Sequence, residues 1–371
     1  MTKFFFPLSA LLFISLWLLS FGPGTQNPKN GSEIAVIAYY SGDSKAIDYY
    51  PVKKLTHIIY SFCHLQGTRL NVDNAADSAT IKKLVSLKAI NPKLKVLLSL
   101  GGWGGCETCS PVFGTEAGRQ EFAKSVKEVN DYFGTDGVDL DWEYPAIEGY
   151  PGHKYQSSDR DNFTALVKTI RNSLGDQHEI SFAAGGFNEF LQRSIDWKEV
   201  MPVVNYVNLM SYDLVNGFST ITGHHTPLYS TTRQTESTDN AVRYLTAQGV
   251  AADKIVIGSA FYARTWEKVP AVHNGLYQAG KFKSFIPYSQ FNQRVSADSG
   301  FVFYQDTVAK APYAYNAVKK TFATFDDKLS VRNKTKYVKD QGLHGIMFWE
   351  LTLDNYNDGL LDVIDQVKNG K

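Results

Sequence analysis

The chain has 371 residues, with 38 Lys and Arg set against 37 Asp and Glu, a formal net charge of +1 at pH 7. So even a balance gives no electrostatic reason to expect nucleic acid or an anionic substrate. Hydrophobic residues at 43% can fill a sizeable core, and the length suits either two average domains or one large α/β barrel.

Behind Lys3, an apolar run from Phe4 to Gly22 reads as a secretory signal, with Phe4–Leu19 as its hydrophobic stretch and cleavage near Gly24. The run is also just long enough to be an uncleaved membrane anchor. Export to the medium or periplasm is the expectation, with residues 1–24 as signal and 25–32 as a linker ending the polar segment PGTQNPKNGS.

Beyond the linker, apolar runs alternate with amphipathic segments, the pattern of βα units around a parallel sheet. Strands are expected at Ile34–Tyr40, His57–Cys63, Lys95–Leu100, Val138–Glu143, Glu179–Gly185, Tyr206–Tyr212, Ile255–Tyr262 and Gly345–Glu350. Helices are expected at Ser78–Ala89, Glu116–Phe133, Asp161–Leu174, Thr238–Gln248 and Val331–Gln341, with Ser78, Thr115 and Ser237 as caps. Eight such strands predict a closed (β/α)8 TIM barrel, because a parallel sheet buried on both faces must be covered all round. Between Trp266 and Phe322 lie over fifty residues rich in Tyr, Phe, Ser and Gln, too many for a bare loop. They predict a small α+β insertion at 267–321 between strands seven and eight, with the catalytic barrel at 33–266 and 322–371.

The fourth strand carries the most informative pattern, Asp136-Gly-Val-Asp139-Leu-Asp141-Trp-Glu143-Tyr-Pro145. Side chains alternate faces, so Asp139, Asp141 and Glu143 share one face, roughly 6.6 Å apart in sequence, while Val138, Leu140 and Trp142 share the other. An apolar face packed on helices leaves the acids lining the barrel interior. Carboxylates so close and shielded cannot all ionise at neutral pH, and one held protonated is what a general acid requires. A calcium site is disfavoured, since calcium loops take their oxygens from flexible turns and not from an apolar-backed strand.

Active sites of such barrels lie at the C-terminal strand ends, where Glu143 falls. The third strand ends in Ser99-Leu-Gly101-Gly102-Trp103, the sixth in Met210-Ser-Tyr212-Asp213, the seventh in Phe261-Tyr262-Ala-Arg264 and the eighth in Phe348-Trp349-Glu350. Each alone is as compatible with packing as with function; together they converge on one rim. Aromatic residues at 13% weakly favour a sugar ligand, the alternative being a Tyr-rich core. In an exported protein Cys106 and Cys109 have the spacing of a short disulfide staple, and Cys63, inside an apolar run, reads as a buried free thiol. No second pair supplies the ligands of a zinc site.

DGVDLDWEYP, with SLGG before it and MSYD and FWEL after it, resembles the family 18 glycoside hydrolases, the chitinase family, from Ile34 to about Val363. The resemblance implies a retaining hydrolase of β-1,4-linked N-acetylglucosamine polymers (chitin and chitooligosaccharides) that works without a cofactor or metal. It implies substrate-assisted catalysis, in which the substrate's own acetamido oxygen attacks the anomeric carbon. Carried onto this sequence, Glu143 is the general acid and base, Asp141 holds the acetamido group, and Asp139 shares a proton with Asp141. Asp136 supports the backbone, Tyr212 donates to the acetamido oxygen, and Trp349 floors the subsite of the distorted sugar. Gly102, Trp103, Tyr144, Met210, Asp213, Tyr262 and Arg264 are candidate substrate contacts.

The chain departs from the family at Ser259-Ala-Phe-Tyr-Ala-Arg264, where a Pro and a Gly are replaced, which puts the role of Arg264 in question. Gly104–Ser110, with its two cysteines, is a local variation beside Trp103. His224 and His225 resemble a loop of the family and read as structure, because adjacent histidines chelate metal poorly. Rival readings are an endo-β-N-acetylglucosaminidase acting on N-linked glycans, an inactive lectin of the same fold, and a metal-dependent barrel hydrolase. Glu143 argues against the lectin, and the lack of histidines at strand ends argues against the metalloenzyme. The expected partner is the saccharide alone, with no nucleic acid, no membrane once the signal is removed, and a monomeric state.

Overall fold

The computed structural model describes residues 1–3 and 33–370. The apolar run Phe4–Gly22 and the linker lie outside the described residues. No helix among the described residues is long and apolar enough to cross a membrane.

Eight parallel strands close on themselves: Ala35–Tyr40, His57–Gln66, Lys95–Gly101, Gly137–Asp141, Glu179–Gly185, Tyr206–Met210, Ile255–Ala260 and Gly345–Trp349. Closure comes from the first strand, which pairs with the eighth on one side (Ala35 with Gly345) and the second on the other (Ile37 with His57). Strand parity sorts the side chains into two layers. Ile37, Tyr39, Ile59, Leu97, Tyr206, Val256 and Met347 fill the barrel, whereas Val36, Ile58, Val96, Leu98, Val138 and Leu140 pack outward under the helices.

The ladder ends differ from the sequence expectation where the chain turns over the rim. The fourth strand stops at Asp141 and the sixth at Met210, so Glu143, Tyr212 and Asp213 stand on the loops just beyond. The seventh stops at Ala260. Tyr262–Glu267 instead opens a five-stranded antiparallel sheet, ordered 281–287, 262–267, 321–324, 311–316 and 302–306, with a helix at Tyr288–Arg294. The reason is pairing: Tyr262 to Glu267 run antiparallel to Pro287 to Lys281, which a barrel strand cannot do. Trp266, fully buried, joins Val269, Tyr315 and Phe322 in a core separate from that of the barrel.

Thr115 and Ser237 cap their helices, accepting from Gly118 N at 3.0 Å and Asn240 N at 3.1 Å. Ser78 does not. The first long helix is Ala75–Ser86, capped by Asn74, whose Oδ1 accepts from Ala76 N at 2.9 Å and Asp77 N at 3.1 Å. Ser78 lies a turn inside, returning its hydroxyl to Asn74 O. A last helix, Leu360–Lys368, was not anticipated; Asp354 caps it by accepting from Leu360 N and Leu361 N, both at 2.9 Å.

Candidate active site

Asp139 sits at the centre of the barrel, fully buried, in register with Ser99 on the third strand and Ser181 on the fifth. Its Oδ2 accepts from Ser99 Oγ at 2.8 Å and Tyr39 Oη at 3.0 Å; its Oδ1 accepts from Ser181 Oγ at 2.6 Å and Asn208 Nδ2 at 3.2 Å. Burial raises its pKa, and these four donors oppose the shift. Both oxygens of Asp139 are taken up by neutral donors, and Asp141 Oδ1 is buried with no partner among the described residues.

Asp141, 4% exposed, is pushed well above the usual carboxylate range by burial, then by the charges of Glu143 and Asp139. Its ionised form is thereby costly until a hydrogen-bond donor or a positive charge arrives beside it. Glu143 stands two residues further on, partly exposed at the mouth. Burial pushes its pKa up to about 7; a hydrogen bond with Tyr144 opposes the rise and the negative charge of Asp213 adds to it. A carboxyl poised there donates and recovers a proton near neutral pH. Behind the row, Trp142 faces outward and packs on Phe113 at 5.6 Å and Phe163 at 6.3 Å, which fixes the strand's rotation. Asp136 ties the strand's start to its neighbour, accepting from Val96 N at 2.7 Å and pairing with Lys88 at 2.7 Å.

The third strand reaches the acids through glycines. A Cβ on Gly101, at φ +106°, would stand 2.3 Å from Asp141 O, and one on Gly102, at φ +78°, 2.3 Å from the ring of Phe62. Gly102 N donates to Asp141 O at 2.9 Å. Cys106 and Cys109 form a disulfide in the loop that follows, both buried, and Cys63 is a buried free thiol. Trp103, 47% exposed, meets Tyr150 at 5.5 Å, Phe218 at 6.1 Å and Tyr144 at 6.4 Å, a wall of rings drawn from three loops.

Beyond Phe62, Trp349 is half-buried against Tyr39 at 5.9 Å and stacks on the Phe62 ring. Tyr212 closes the floor, its hydroxyl 3.8 Å from Met347 Sδ, with Met210 packed beside it in the barrel core. Burial and the charge of Asp141 raise its pKa well above normal, so it remains a donor.

On the insertion side, the guanidinium of Arg264 holds Asp213 through Nε and Nη2, a bidentate clamp. Burial would raise the Asp213 carboxyl, but Arg264 and His225 hold it well below the usual range. Tyr262, 3% exposed, packs edge-on to Tyr212 at 6.2 Å and stacks on Phe285 at 4.6 Å. The replaced Pro and Gly of the seventh strand therefore leave Arg264 paired at the rim. His224 and His225 are both fully buried, the first 3.1 Å from Asp306, the second 3.5 Å from Asp213.

Asp141, Glu143, Trp103, Tyr144, Tyr212, Asp213, Tyr262, Arg264 and Trp349 thus stand at or just beyond the C-terminal strand ends, with Asp139 deeper in the barrel and Asp136 at the far end of its strand. Sequence reasoning missed Phe62, Phe218 and Tyr150, and read His225 as loop structure without its approach to Asp213. Phe62 lies inside the apolar run His57–Cys63, where nothing marks it as different from a core residue.

The sequence matches the model of the glycosyl hydrolases family 18 over residues 35–354. It is 32% identical over 305 residues to Chitinase A1 of Niallia circulans, matching 75% of this chain and 43% of that protein. It is 29% identical to Chitinase B of Serratia marcescens, matching 85% of this chain and 77% of that protein. Among solved structures, a glycoside hydrolase family 18 N-acetylglucosaminidase from Paenibacillus barengoltzii superposes with a TM-score of 0.82 at 37% identity, covering 90% of this chain and 99% of that one.

Proposed function

The chain belongs to the glycosyl hydrolases of family 18, and we propose that it hydrolyses β-1,4-linked N-acetylglucosamine polymers, chitin and its oligosaccharides, with retention at the anomeric carbon. The observation that carries this reading is the gradient along one strand face. A deep, four-donor Asp139 leads to a desolvated Asp141 with an unpartnered oxygen, then to a Glu143 poised near pH 7 at the mouth.

Most retaining glycosidases place two carboxyl groups about 5–5.5 Å apart on either side of the sugar, and family 18 is a substrate-assisted exception. Asp141 ends the fourth strand and Glu143 follows two residues later, so neither faces the other across the sugar to act as nucleophile. In the proposed reaction Glu143 gives its proton to the leaving glycosidic oxygen as that bond breaks. The acetamido oxygen of the same sugar bonds to the anomeric carbon, giving a cyclic oxazolinium ion. Asp141 accepts the acetamido N–H and stabilises the positive charge, and Tyr212 donates to the acetamido oxygen. Water then attacks the anomeric carbon as the bond to the acetamido oxygen breaks, restoring the acetamido group, and Glu143 takes the water's proton. Trp349 carries the distorted sugar on its face; Trp103, Tyr144, Gly102, Met210, Asp213, Tyr262 and Arg264 complete the contacts. Export through the Phe4–Gly22 run belongs to the same proposal.

A second reading is favoured by the 37% identity to a protein that is an N-acetylglucosaminidase: release of single residues from chain ends by the same chemistry. A timed product profile on N-acetylglucosamine oligomers, with a glycoprotein in parallel and Glu143→Gln as control, tests both. Shortening of oligomers to mixed products supports the first, and release of monomer alone supports the second. Sugar released only from the glycoprotein would overturn both. The control should lose about 10²–10⁴-fold in turnover while still binding oligomer; unchanged turnover would remove Glu143 from its role.

A further inference from the structure

Away from the acidic row, a pocket of about 590 Å³ opens on the barrel flank, lined by Tyr229, Ser230, Asp239, Asn240, Arg243 and Tyr244. One wall is a face of the helix Thr238–Ala247. Thr238, Ala241, Val242 and Leu245 are buried toward the barrel, which turns positions 239, 240, 243 and 244 to the opposite side. Tyr229 and Ser230 come from the connection that leaves the mouth after His225.

The walls are fixed in advance. Thr238 N donates to Pro227 O at 3.0 Å and Asp239 N to Leu228 O at 2.9 Å, joining the helix to that connection. Asn240 Nδ2 donates to Asn188 Oδ1 at 2.9 Å, and Tyr337 Oη donates to Asp239 Oδ1 at 2.8 Å. These bonds hold the helix, Asp239 and Asn240 in place, so a ligand loses little affinity to ordering them.

The lining selects a chemistry. Arg243 Nη1 lies 3.4 Å from Asp239 Oδ2, so the two charges offset each other and neither an anion nor a cation is favoured. Two half-buried tyrosine rings line the pocket, and Asn240, Asp239 and Arg243 bring polar groups around them, while the Ser230 hydroxyl is already given to Thr235 O. Neutral molecules that combine apolar C–H faces with a belt of hydroxyl and amide groups are saccharides. The volume falls in the range of about 300–1,000 Å³ typical of small-ligand sites.

We propose that this pocket is a second saccharide site, holding a stretch of the N-acetylglucosamine polymer outside the cleft; it rests on the function proposed above. Held there, an insoluble chain keeps the enzyme at its surface and raises the effective concentration of substrate at the mouth.

The test uses Tyr244→Ala and the double variant Arg243→Ala/Tyr244→Ala, each made in the otherwise unaltered chain and again with Glu143→Gln. Adsorption to insoluble chitin is read as depletion from solution, and turnover is read on a soluble N-acetylglucosamine trimer. The expected result is adsorption weakened about tenfold, the equivalent of about 1.4 kcal/mol, with trimer turnover unchanged. Tyr244→Phe, which keeps the ring, should adsorb like the parent. Unchanged adsorption of both alanine variants, at unaltered thermal midpoint, would overturn the second site alone. A parent that neither cleaves trimer nor adsorbs to chitin would instead overturn the functional reading beneath it. A variant that fails to fold shows itself in the trimer assay, and direct titration of the Glu143→Gln parent with trimer then decides: two molecules bound per chain support the site, one overturns it.

Discussion

Phe62 lies beneath Trp349 with ring centroids 5.5 Å apart and planes inclined by 16°, and the same ring occupies the space into which a side chain on Gly102 would project. The platform proposed for the reacting sugar is thus two rings deep. Such aromatic pairs contribute about 0.5–1.5 kcal/mol beyond their buried area. Phe62→Ala should lower kcat/KM on chitooligosaccharides about tenfold, mostly through KM, since the indole loses its support and the acids keep their places. Steady-state kinetics with a melting curve checks this; an unchanged KM would show that Trp349 holds its position without Phe62.

Gly102→Ala attacks the same junction from the other strand. At φ +78° an alanine is strained, and its methyl would meet the Phe62 ring. Overpacking of this kind costs about 1–3 kcal/mol. The variant should melt earlier and lose turnover, and Phe62→Leu should recover part of the melting loss without recovering KM. Full activity in Gly102→Ala would contradict the close approach.

The pH profile follows from Glu143. As general acid it must carry its proton, so kcat/KM should fall as pH rises through about 7. Asp213 contributes to that elevation, and Asp213→Asn should move the basic limb to lower pH. Linkage gives a parallel statement for stability. A carboxyl whose pKa is raised in the folded chain favours folding at low pH, and that contribution is lost as pH rises from its unfolded value through about 7. Glu143→Gln should therefore be the more stable protein above neutrality, as denaturant unfolding at pH 6 and pH 8 would measure.

A buried ion pair supports the rim from behind. Lys334 Nζ lies 2.6 Å from Asp326 Oδ2 with both side chains fully buried, and the same Oδ2 accepts from Ala260 N at 3.0 Å. Thr226, bonded to Lys334, also reaches Ser211 O at 3.3 Å, next to Tyr212. Lys334→Met leaves a carboxylate uncompensated and should destabilise the chain by about 3–5 kcal/mol. Adding Asp326→Asn should recover part of that loss. Equal unfolding free energies for the single and double variants would show that the charge of Asp326 is not what the lysine answers.

The period of the fourth strand made the acid row legible, because alternation alone places Asp139 and Asp141 on the inward face and Trp142 on the outward one. The barrel followed from eight apolar runs with helical spacing between them. Contacts that depend on where separate loops arrive were not legible. Phe62 touches Trp349 from the far end of the sequence, and His225 reaches Asp213 only because the loop folds back under Tyr262. Lys334 falls on the buried stripe of its helix with Val331, Thr335 and Val338, where a lysine is unexpected until buried Asp326 and Thr226 are seen to receive it. Tyr262 was read as barrel because Ile255–Tyr262 is one apolar run; antiparallel pairing after Phe261, which hydrophobicity does not encode, divides it. The cap at Asn74 was passed over for Ser78, a residue type suited equally to either position.

Four uncharged groups, Tyr39, Ser99, Ser181 and Asn208, solvate Asp139, and among the described residues no ion pair joins it. Dipoles spread a charge without cancelling it, so an ionised Asp139 would project its field along the barrel axis toward the opening. Sugar mimics bearing a protonated nitrogen in the ring should accordingly bind more tightly than carbocyclic isosteres of identical shape, and Asp139→Asn should erase most of that difference.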